Sequence, residues 1–203
     1  MSAPAPAAGI TGIVLAGGLG RRMSEDGAGV DKGLQALGGL PMVAHVIARL
    51  APQVDTILIN ANRNIAAYRQ FGYPVLPDLI AGFAGPLAGL HAGMLAAATR
   101  WVVTAPCDSP YLPLDLVARL VTAADADGAA IAVVRAGDRL QPVFALVERS
   151  LTASLEDYLA QGNRKIDLWY KKHAAVEVDF PDPAAFRNIN TRQELARYEQ
   201  GLL

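Results

Sequence analysis

Short apolar runs alternate with helix-like segments along the chain, and this alternation restricts the folds that the chain can adopt. The runs are typical of β-strands, and they cover residues 10–16, 56–60, 74–77, 101–105, 129–134 and 142–147. Strands that are apolar throughout, rather than at every second residue, belong to sheets that are covered on both faces. The sequence therefore predicts an α/β fold, a three-layer Rossmann-like arrangement with a mostly parallel central sheet.

Helix starts are marked by prolines and by a capping motif. Pro41 can open a helix that runs to about Leu50, Pro86 can open the next, and residues 113–115 a third. Near the carboxyl terminus, the sequence Thr-Arg-Gln-Glu at 191–194 predicts a capping box at the start of the last helix.

Length and composition indicate one soluble domain. The chain has 203 residues and a net charge of -1, which gives no general attraction to nucleic acid or to a membrane. We expect a disordered Ala/Pro tail over residues 1–9 and a single domain over residues 10–203. The tail has neither the basic nor the apolar part of a secretion signal, and the single Cys107 excludes an internal disulfide, so we expect a cytoplasmic protein.

A glycine loop follows the first strand, in the sequence GIVLAGGLGRRMSEDGAGVDKG at residues 12–33. Glycines there let backbone N–H groups approach a phosphate closely. The P-loop pattern is excluded because no Gly-Lys-Ser/Thr follows, and the dinucleotide fingerprint is excluded because Met23 replaces its last glycine. Arg21, Arg22 and Lys32 would suit a triphosphate, although a glycine loop alone is equally typical of a solvated basic loop.

Asp108 follows the strand at 101–105, in the sequence WVVTAPCDSPYLP. Ligands of open α/β sheets bind beyond the carboxyl ends of the strands, and one carboxylate suffices for Mg²⁺ that is also held by substrate phosphates. The alternative is a turn or helix-capping role for Asp108. A nucleophilic role for Cys107 is disfavoured because no partner that would lower its pKa is evident.

Taken together, the motifs resemble the molybdenum cofactor guanylyltransferase family from Thr11 to Tyr198. The segments that carry the resemblance are LAGG, RRM, DKG, NANR at 60–63, Asp78, GPLAG at 85–89, PCDSPYLP at 106–113 and NINT at 188–191. The resemblance implies a nucleotidyltransferase that uses MgGTP to attach GMP to the terminal phosphate of the molybdenum-pterin cofactor. It also implies that proteins which donate the cofactor or receive it are possible partners.

The resemblance assigns roles to particular residues. The GTP-binding set is Leu15, Ala16, Gly17, Gly18, Arg21, Lys32, Asn60, Asp78 and Asp108. Lys32, Arg22 and Asp108 are the implied catalytic residues, and Asp108 is the implied Mg²⁺ ligand. Gly18 follows Gly17 where the cytidylyl branch tends to have Ala-Gly, which favours guanine.

On the pterin side, the resemblance points to Arg164, Lys165, Asn188 and Asn190, with weaker support for Arg139, Gln141 and Pro142. The alternative is a solvated basic loop and a polar helix cap.

Since the acceptor is already an ionised phosphate, no catalytic histidine is expected among His45, His91 and His173. Between Met23 and Asp31 the chain has a longer and more acidic segment than the short Gly-rich link that is usual in the family. We expect Glu25 and Asp26 in this segment to face solvent, in a loop that is mobile without GTP.

Three other functions are open at this point. The chain could transfer CMP to the same cofactor, or a nucleotide to a sugar phosphate, because the glycine loop and Asp108 would serve either reaction. A third possibility is an inactive adaptor that binds nucleotide or delivers cofactor. The presence of both Lys32 and Asp108 disfavours the adaptor.

Overall fold

A computed structural model describes residues 9–18, 30–80 and 85–200. The predictions for the tail up to residue 8, for Arg21 and Arg22, and for the acidic segment with Glu25 and Asp26 lie outside these residues. The extent of a single domain over residues 10–203 stays a prediction.

A seven-stranded sheet forms the centre of the described part of the chain, and its order is β5-β4-β1-β6-β8-β7-β9. Neighbouring strands run parallel except on the two sides of β8, which is antiparallel to both β6 and β7. The strands are β1 (Ile10–Leu15), β4 (Thr56–Asn60), β5 (Val75–Leu76), β6 (Trp101–Pro106), β7 (Ile131–Ala136), β8 (Arg139–Glu148) and β9 (Val176–Phe180). The predicted mostly parallel α/β sheet is confirmed.

Helices cover both faces of this sheet. They are α1 (Met42–Leu50), α2 (Ile65–Arg69), α3 (Pro86–Ala96), α4 (Leu116–Asp127), α5 (Thr152–Ala160), α6 (Ile166–Lys172) and α7 (Arg192–Glu199). Successive side chains of a strand point to opposite faces. Val14 of β1 accordingly belongs to the buried cluster that includes α1 and α4, while Ile13 belongs to the one that includes α3, α5 and α6. The two buried clusters on either side of the sheet confirm the three layers.

Some elements differ from the sequence prediction. The run at 129–134 is shifted to 131–136, and Gly137, with φ +58°, turns the chain directly into β8. β9 and a short hairpin, β2 (Ala36–Leu37) with β3 (Leu40–Pro41), were not predicted. The sequence does not predict β9 because Glu177 and Asp179 alternate with its apolar residues and interrupt the apolar run, as suits an edge strand.

The predicted helix starts are close to the observed ones. α3 begins at Pro86, α1 begins one residue after Pro41, and α4 begins just after residues 113–115. The predicted capping box at α7 is present: the Thr191 side chain accepts from Glu194 N, and the Glu194 side chain accepts from Thr191 N. No helix in the described ranges is both long and apolar enough to cross a membrane.

The buried His91 on α3 is expected to make the stability of the folded chain depend on pH. The residue is 3% exposed, and neither ring nitrogen has a hydrogen-bond partner among the described residues. Burial therefore lowers the pKa of His91 below its ordinary 6.5, and the carboxylate of Glu156 on α5 only partly opposes this. Below pH 6.5 the unfolded chain binds a proton that the folded chain resists, so stability falls as the pH falls.

We expect His91→Leu to weaken this loss of stability on acidification. The free energy of unfolding of both proteins, measured by urea denaturation at pH 7.5 and pH 5, would show the variant losing less than the parent chain. Because the comparison is a difference between two proteins, the other titrating groups, His173 included, cancel from it. Equal losses in both proteins would contradict this assignment.

Candidate active site

The candidate residues lie at the carboxyl ends of three neighbouring parallel strands. In the sheet register, Leu15 at the end of β1 is opposite Asn60 of β4 on one side and Pro106 of β6 on the other. Just beyond the end of β1, Ala16 N donates to the Asn60 carbonyl at 2.8 Å. Polar groups after all three strands are thus gathered along one edge of the sheet, as predicted for an α/β ligand site.

The first part of the glycine loop is anchored by its backbone. Cys107 N donates to the Leu15 carbonyl at 3.0 Å, which continues the pairing of β1 with β6 past the strand ends. Gly17 is half-buried and Gly18 is exposed, and the Arg63 guanidinium donates to the Gly18 carbonyl at 3.3 Å. The backbone at residues 16–18 is therefore fixed at the edge of the sheet, and Gly18 faces solvent.

Lys32 and Asp108 form an ion pair, although they are 76 residues apart in the sequence. The Lys32 ammonium lies 2.9 Å from Asp108 Oδ2, and it also donates to Asn190 Oδ1 at 2.5 Å. Both side chains are largely buried, at 16% and 10% exposure, so little water screens their interaction. The structure therefore brings together three of the predicted residues, from the loop after β1, the end of β6 and the segment before α7.

Asn60 and Asp78 also meet, at the side of β1 away from Asp108. Asn60 Nδ2 donates to Asp78 Oδ1 at 2.9 Å, and Asn62 Nδ2 donates to the other carboxylate oxygen at 2.8 Å. Asp78 N donates in return to Asn62 Oδ1 at 2.8 Å. Two amides thus fix the plane of a carboxylate that can still accept hydrogen bonds from a ligand.

Sequence reasoning missed the role of Asn62. The spacing of Asn60 and Asn62 in the NANR segment indicates such a role, because residues two apart on an extended chain point to the same side and can bind the same group.

Asp31, the residue before Lys32, is held by Tyr68 of α2 and by Asn64. The Tyr68 hydroxyl donates to Asp31 Oδ1 at 2.5 Å, and Asn64 Nδ2 donates to Asp31 Oδ2 at 2.9 Å. Burial is the main reason that the pKa of Tyr68 is raised, so its hydroxyl stays a donor. This support was not predicted, because α2 is too short for a clear helical pattern in the sequence.

Asn188 is held by the segment that follows β6. Ser109 Oγ lies 2.8 Å from Asn188 Oδ1, and Ile189 N donates to the Asp108 carbonyl at 2.8 Å. Asn188 and Asn190 thus flank a residue whose backbone is tied to Asp108. Their contact with a pterin stays a prediction.

The other predicted pterin residues belong to a different part of the molecule. Arg164 donates to the Leu159 and Asn163 carbonyls, and the Lys165 carbonyl accepts from Tyr158. These bonds fix the turn between α5 and α6 and do not involve the Lys32–Asp108 pair. Their role in binding pterin also stays a prediction.

On β8, Arg139 is exposed and Gln141 is half-buried, while the Pro142 carbonyl accepts from the Tyr170 hydroxyl at 2.8 Å. That bond ties β8 to α6.

Cys107 is buried beside the site, where burial raises the pKa of its thiol well above the usual range. A thiol in that state is a weak nucleophile, which agrees with the sequence interpretation. Cys107 instead packs close to Gly33, where an added Cβ would lie 3.1 Å from its sulfur and 2.6 Å from the Tyr68 hydroxyl.

Asp108 has the chemistry of a magnesium ligand. Lys32 occupies Oδ2, and Oδ1 accepts no hydrogen bond from any described residue. No group of three or more His, Cys, Asp or Glu side chains suited to a metal occurs within residues 9–18, 30–80 and 85–200. A hard carboxylate with one oxygen that is not bonded to any described residue fits Mg²⁺ that would take its other ligands from phosphates and water.

The geometry agrees with the outcome of sequence and structure comparisons. The family described as MobA-like NTP transferase domain matches residues 12–176, which include Lys32, Asn60, Asp78 and Asp108. The chain belongs to this family. The nucleotidyltransferase class that the motifs predicted is thereby confirmed.

Named relatives extend the match over most of the chain. The molybdenum cofactor guanylyltransferase of Cupriavidus necator is 53% identical over 195 residues, covering 94% of this chain and 96% of that protein. The protein of the same name from Ralstonia nicotianae is 52% identical over 199 residues, with the same coverage of each chain. The resemblance noted in the sequence is thus confirmed.

Among solved structures, the molybdopterin-guanine dinucleotide biosynthesis protein A of Archaeoglobus fulgidus superposes with a TM-score of 0.75. It is 23% identical and covers 94% of this chain and 97% of that one. At this identity the superposition supports the fold.

Gly89 on α3 keeps room for the Asn60–Asp78 pair, and we expect Gly89→Ala to disturb it. A Cβ at Gly89 would lie 2.3 Å from Asn60 Oδ1 and 2.5 Å from a Leu15 methyl group. The variant is expected to lose about 1–3 kcal/mol of stability and to have a raised KM for GTP.

Gly93→Ala, one turn further along α3, is the matched control. A Cβ there would lie 2.2 Å from an Ile13 methyl group in the core, away from the nucleotide residues. It should lower the melting temperature comparably and leave the KM for GTP unchanged. A KM that rises equally in both variants would show that Gly89 has no specific role at the site.

Proposed function

We propose that the protein transfers GMP from MgGTP to the terminal phosphate of the molybdenum-pterin cofactor, with release of pyrophosphate. The observation that carries the proposal is the buried Lys32–Asp108 pair with Asn190, at the carboxyl ends of β1 and β6. The names of the relatives that match 94% of the chain supply the choice of GMP and of this acceptor.

The reaction needs no protein nucleophile. An oxygen of the acceptor phosphate attacks the α-phosphorus of GTP, and a new phosphorus–oxygen bond forms between them. The bond from the α-phosphorus to the oxygen that bridges it to the β-phosphorus breaks, and its electron pair leaves with pyrophosphate. Because the acceptor oxygen is already ionised, the protein's tasks are to position both phosphates and to offset negative charge.

The described residues divide these tasks between them. Within the proposed GTP-binding segment Leu15 to Gly18, Gly17 and Gly18 would offer backbone N–H groups to the phosphates, because Ala16 N is already bonded to the Asn60 carbonyl. The Lys32 ammonium would offset charge that builds up on the leaving pyrophosphate. Asp108 would hold the Mg²⁺, which when bound neutralises phosphate oxygens. Arg21 and Arg22 are proposed as further phosphate ligands, although they lie outside the described residues.

Asn60 and Asp78 would bind the nucleoside part of GTP. They lie across β1 from Asp108, so a nucleotide whose phosphates lie near Lys32 can extend along the sheet edge towards them. A carboxylate held by two amides is a suitable acceptor for N–H or O–H donors of a base or a ribose. We place this reaction in the cytoplasm.

Comparison of nucleotides tests the proposal. The protein would be incubated with Mg²⁺ and GTP, CTP or ATP in parallel, with either the pterin cofactor or a sugar phosphate as the acceptor. The nucleotidyl product would be quantified by chromatography, and GTP binding would be measured by equilibrium dialysis. GTP should give product at a far higher kcat/KM than CTP or ATP. A preference for CTP would indicate the cytidylyl reaction, product only with a sugar phosphate would indicate the other transferase class, and binding of GTP without product would indicate an adaptor.

A further inference from the structure

The carboxylate of Glu194 holds the backbone of the segment that carries Asn190. Glu194 Oε2 accepts from Asn190 N at 2.7 Å and from Thr191 N at 3.0 Å. Glu194 N donates in return to Thr191 Oγ1 at 3.1 Å, which completes the capping box of α7. The bond to Asn190 goes beyond what a capping box needs, because it fixes the residue that precedes the helix cap.

The other side of this segment is fixed to Asp108. Ile189 N donates to the Asp108 carbonyl at 2.8 Å, and the Ile189 side chain is fully buried with Leu37 and Met42. The backbone at Asn190 is therefore held between β6 and α7. Its side-chain oxygen accepts from the Lys32 ammonium at 2.5 Å. A chain of direct contacts thus leads from Glu194 through Asn190 to Lys32.

This chain of contacts matters because Asp108, which pairs with Lys32, would also hold Mg²⁺ under the proposed function. A carboxylate that holds Mg²⁺ gives up part of its charge to the metal and becomes a weaker partner for the lysine. The Asn190 amide is a neutral acceptor, so it can keep the Lys32 ammonium in place without cancelling the positive charge that the phosphates need.

We infer that Glu194 is a positioning residue for Lys32, acting through Asn190. The inference rests on the proposed function for the choice of substrates, but its structural content does not. If it is correct, loss of the Glu194 carboxylate removes the bond that fixes the Asn190 backbone, so the Asn190 oxygen shifts away from the Lys32 ammonium and the phosphate-binding geometry loosens.

The variants that test this are Glu194→Ala, Glu194→Gln and Thr191→Ala. Alanine removes both backbone bonds, whereas glutamine keeps an oxygen that can accept them. Thr191→Ala is the matched control, because it weakens the start of α7 without removing the bond that Asn190 N donates to the Glu194 carboxylate. Circular dichroism and thermal melting of each variant would show that the fold is retained.

The first readout is the reactivity of Lys32, measured in the protein without substrates. Brief labelling with acetic anhydride, followed by peptide mass spectrometry, gives the rate at Lys32 relative to the exposed Lys171. Glu194→Ala should label Lys32 several-fold faster than the parent chain, and both Glu194→Gln and Thr191→Ala should remain near the parent rate. Unchanged labelling in Glu194→Ala, or equal acceleration in Thr191→Ala, would overturn the inference.

The second readout is turnover with GTP and the pterin cofactor. Glu194→Ala should lower kcat by about tenfold, with little change in the KM for the acceptor, because a misplaced charge acts on the transferring phosphates. The same change made in a Lys32→Gln background should have less than about a twofold effect, since the residue on which Glu194 acts is gone. A full effect in that background would overturn the inference. Absence of product from the parent chain itself would instead overturn the proposed function, and the labelling result would still decide the role of Glu194.

Discussion

Lys32→Ala is expected to lower the turnover of GMP transfer by about 100- to 1000-fold, the range typical for loss of one preorganised group that stabilises developing charge. The ammonium of Lys32 is buried beside Asp108, where low screening makes its charge effective. Initial rates with saturating MgGTP and pterin cofactor would measure the loss. Lys32→Arg should recover only part of the rate, because a planar fork replaces a compact ammonium.

Folding has to be measured separately for this variant. Removing Lys32 leaves Asp108 as a buried carboxylate without its ion partner, and such losses are destabilising. Lys171→Ala, at an exposed position on α6, removes the same kind of side chain away from the site and should retain parental turnover. A Lys32→Ala protein that melts as a folded chain and turns over at near the parental rate would remove Lys32 from the catalytic residues.

Asp108→Asn is expected to lower turnover by about 100-fold or more, since an amide of the same size is a poor ligand for Mg²⁺. The parent chain should show a saturable dependence of rate on Mg²⁺ concentration. In the variant, the rate should stay low at every Mg²⁺ concentration. Product formation across a Mg²⁺ titration is the measurement.

Asp127→Asn serves as the control, because this exposed carboxylate at the end of α4 lies outside the site. It should reproduce the parental titration curve. If Asp108→Asn instead regained the full rate at high Mg²⁺, Asp108 would contribute to metal affinity alone. A parental rate at all concentrations would contradict its role as a metal ligand.

The position of the site could be predicted from the sequence because it follows from the sheet. Parallel strands place their carboxyl ends at one edge, which predicts that the residues after these strands lie near one another. The register places Leu15 between Asn60 and Pro106, and Asp108 follows Pro106 by two residues. The type of residue after each strand then indicated which ligand groups would meet there.

The supporting contacts could not be predicted in the same way. Asn190 reaches Lys32 across 158 residues of sequence, and this depends on the path of the irregular segment before α7, which no periodicity encodes. The Asp31–Tyr68 bond depends on the five-residue helix α2, which is too short to show a helical repeat. Such contacts depend on tertiary packing, and only the structure gives them.

Isotopic labelling distinguishes transfer of the GMP group of GTP to the pterin phosphate, which we propose, from transfer of the γ-phosphoryl group. Parallel reactions with GTP labelled at the α- or at the γ-phosphorus would be resolved into pterin product and pyrophosphate. We predict that the α label appears in the pterin product and the γ label in pyrophosphate, in equal molar amounts. Transfer of the γ label to the pterin, or release of pyrophosphate without a labelled pterin product, would contradict the proposed GMP transfer.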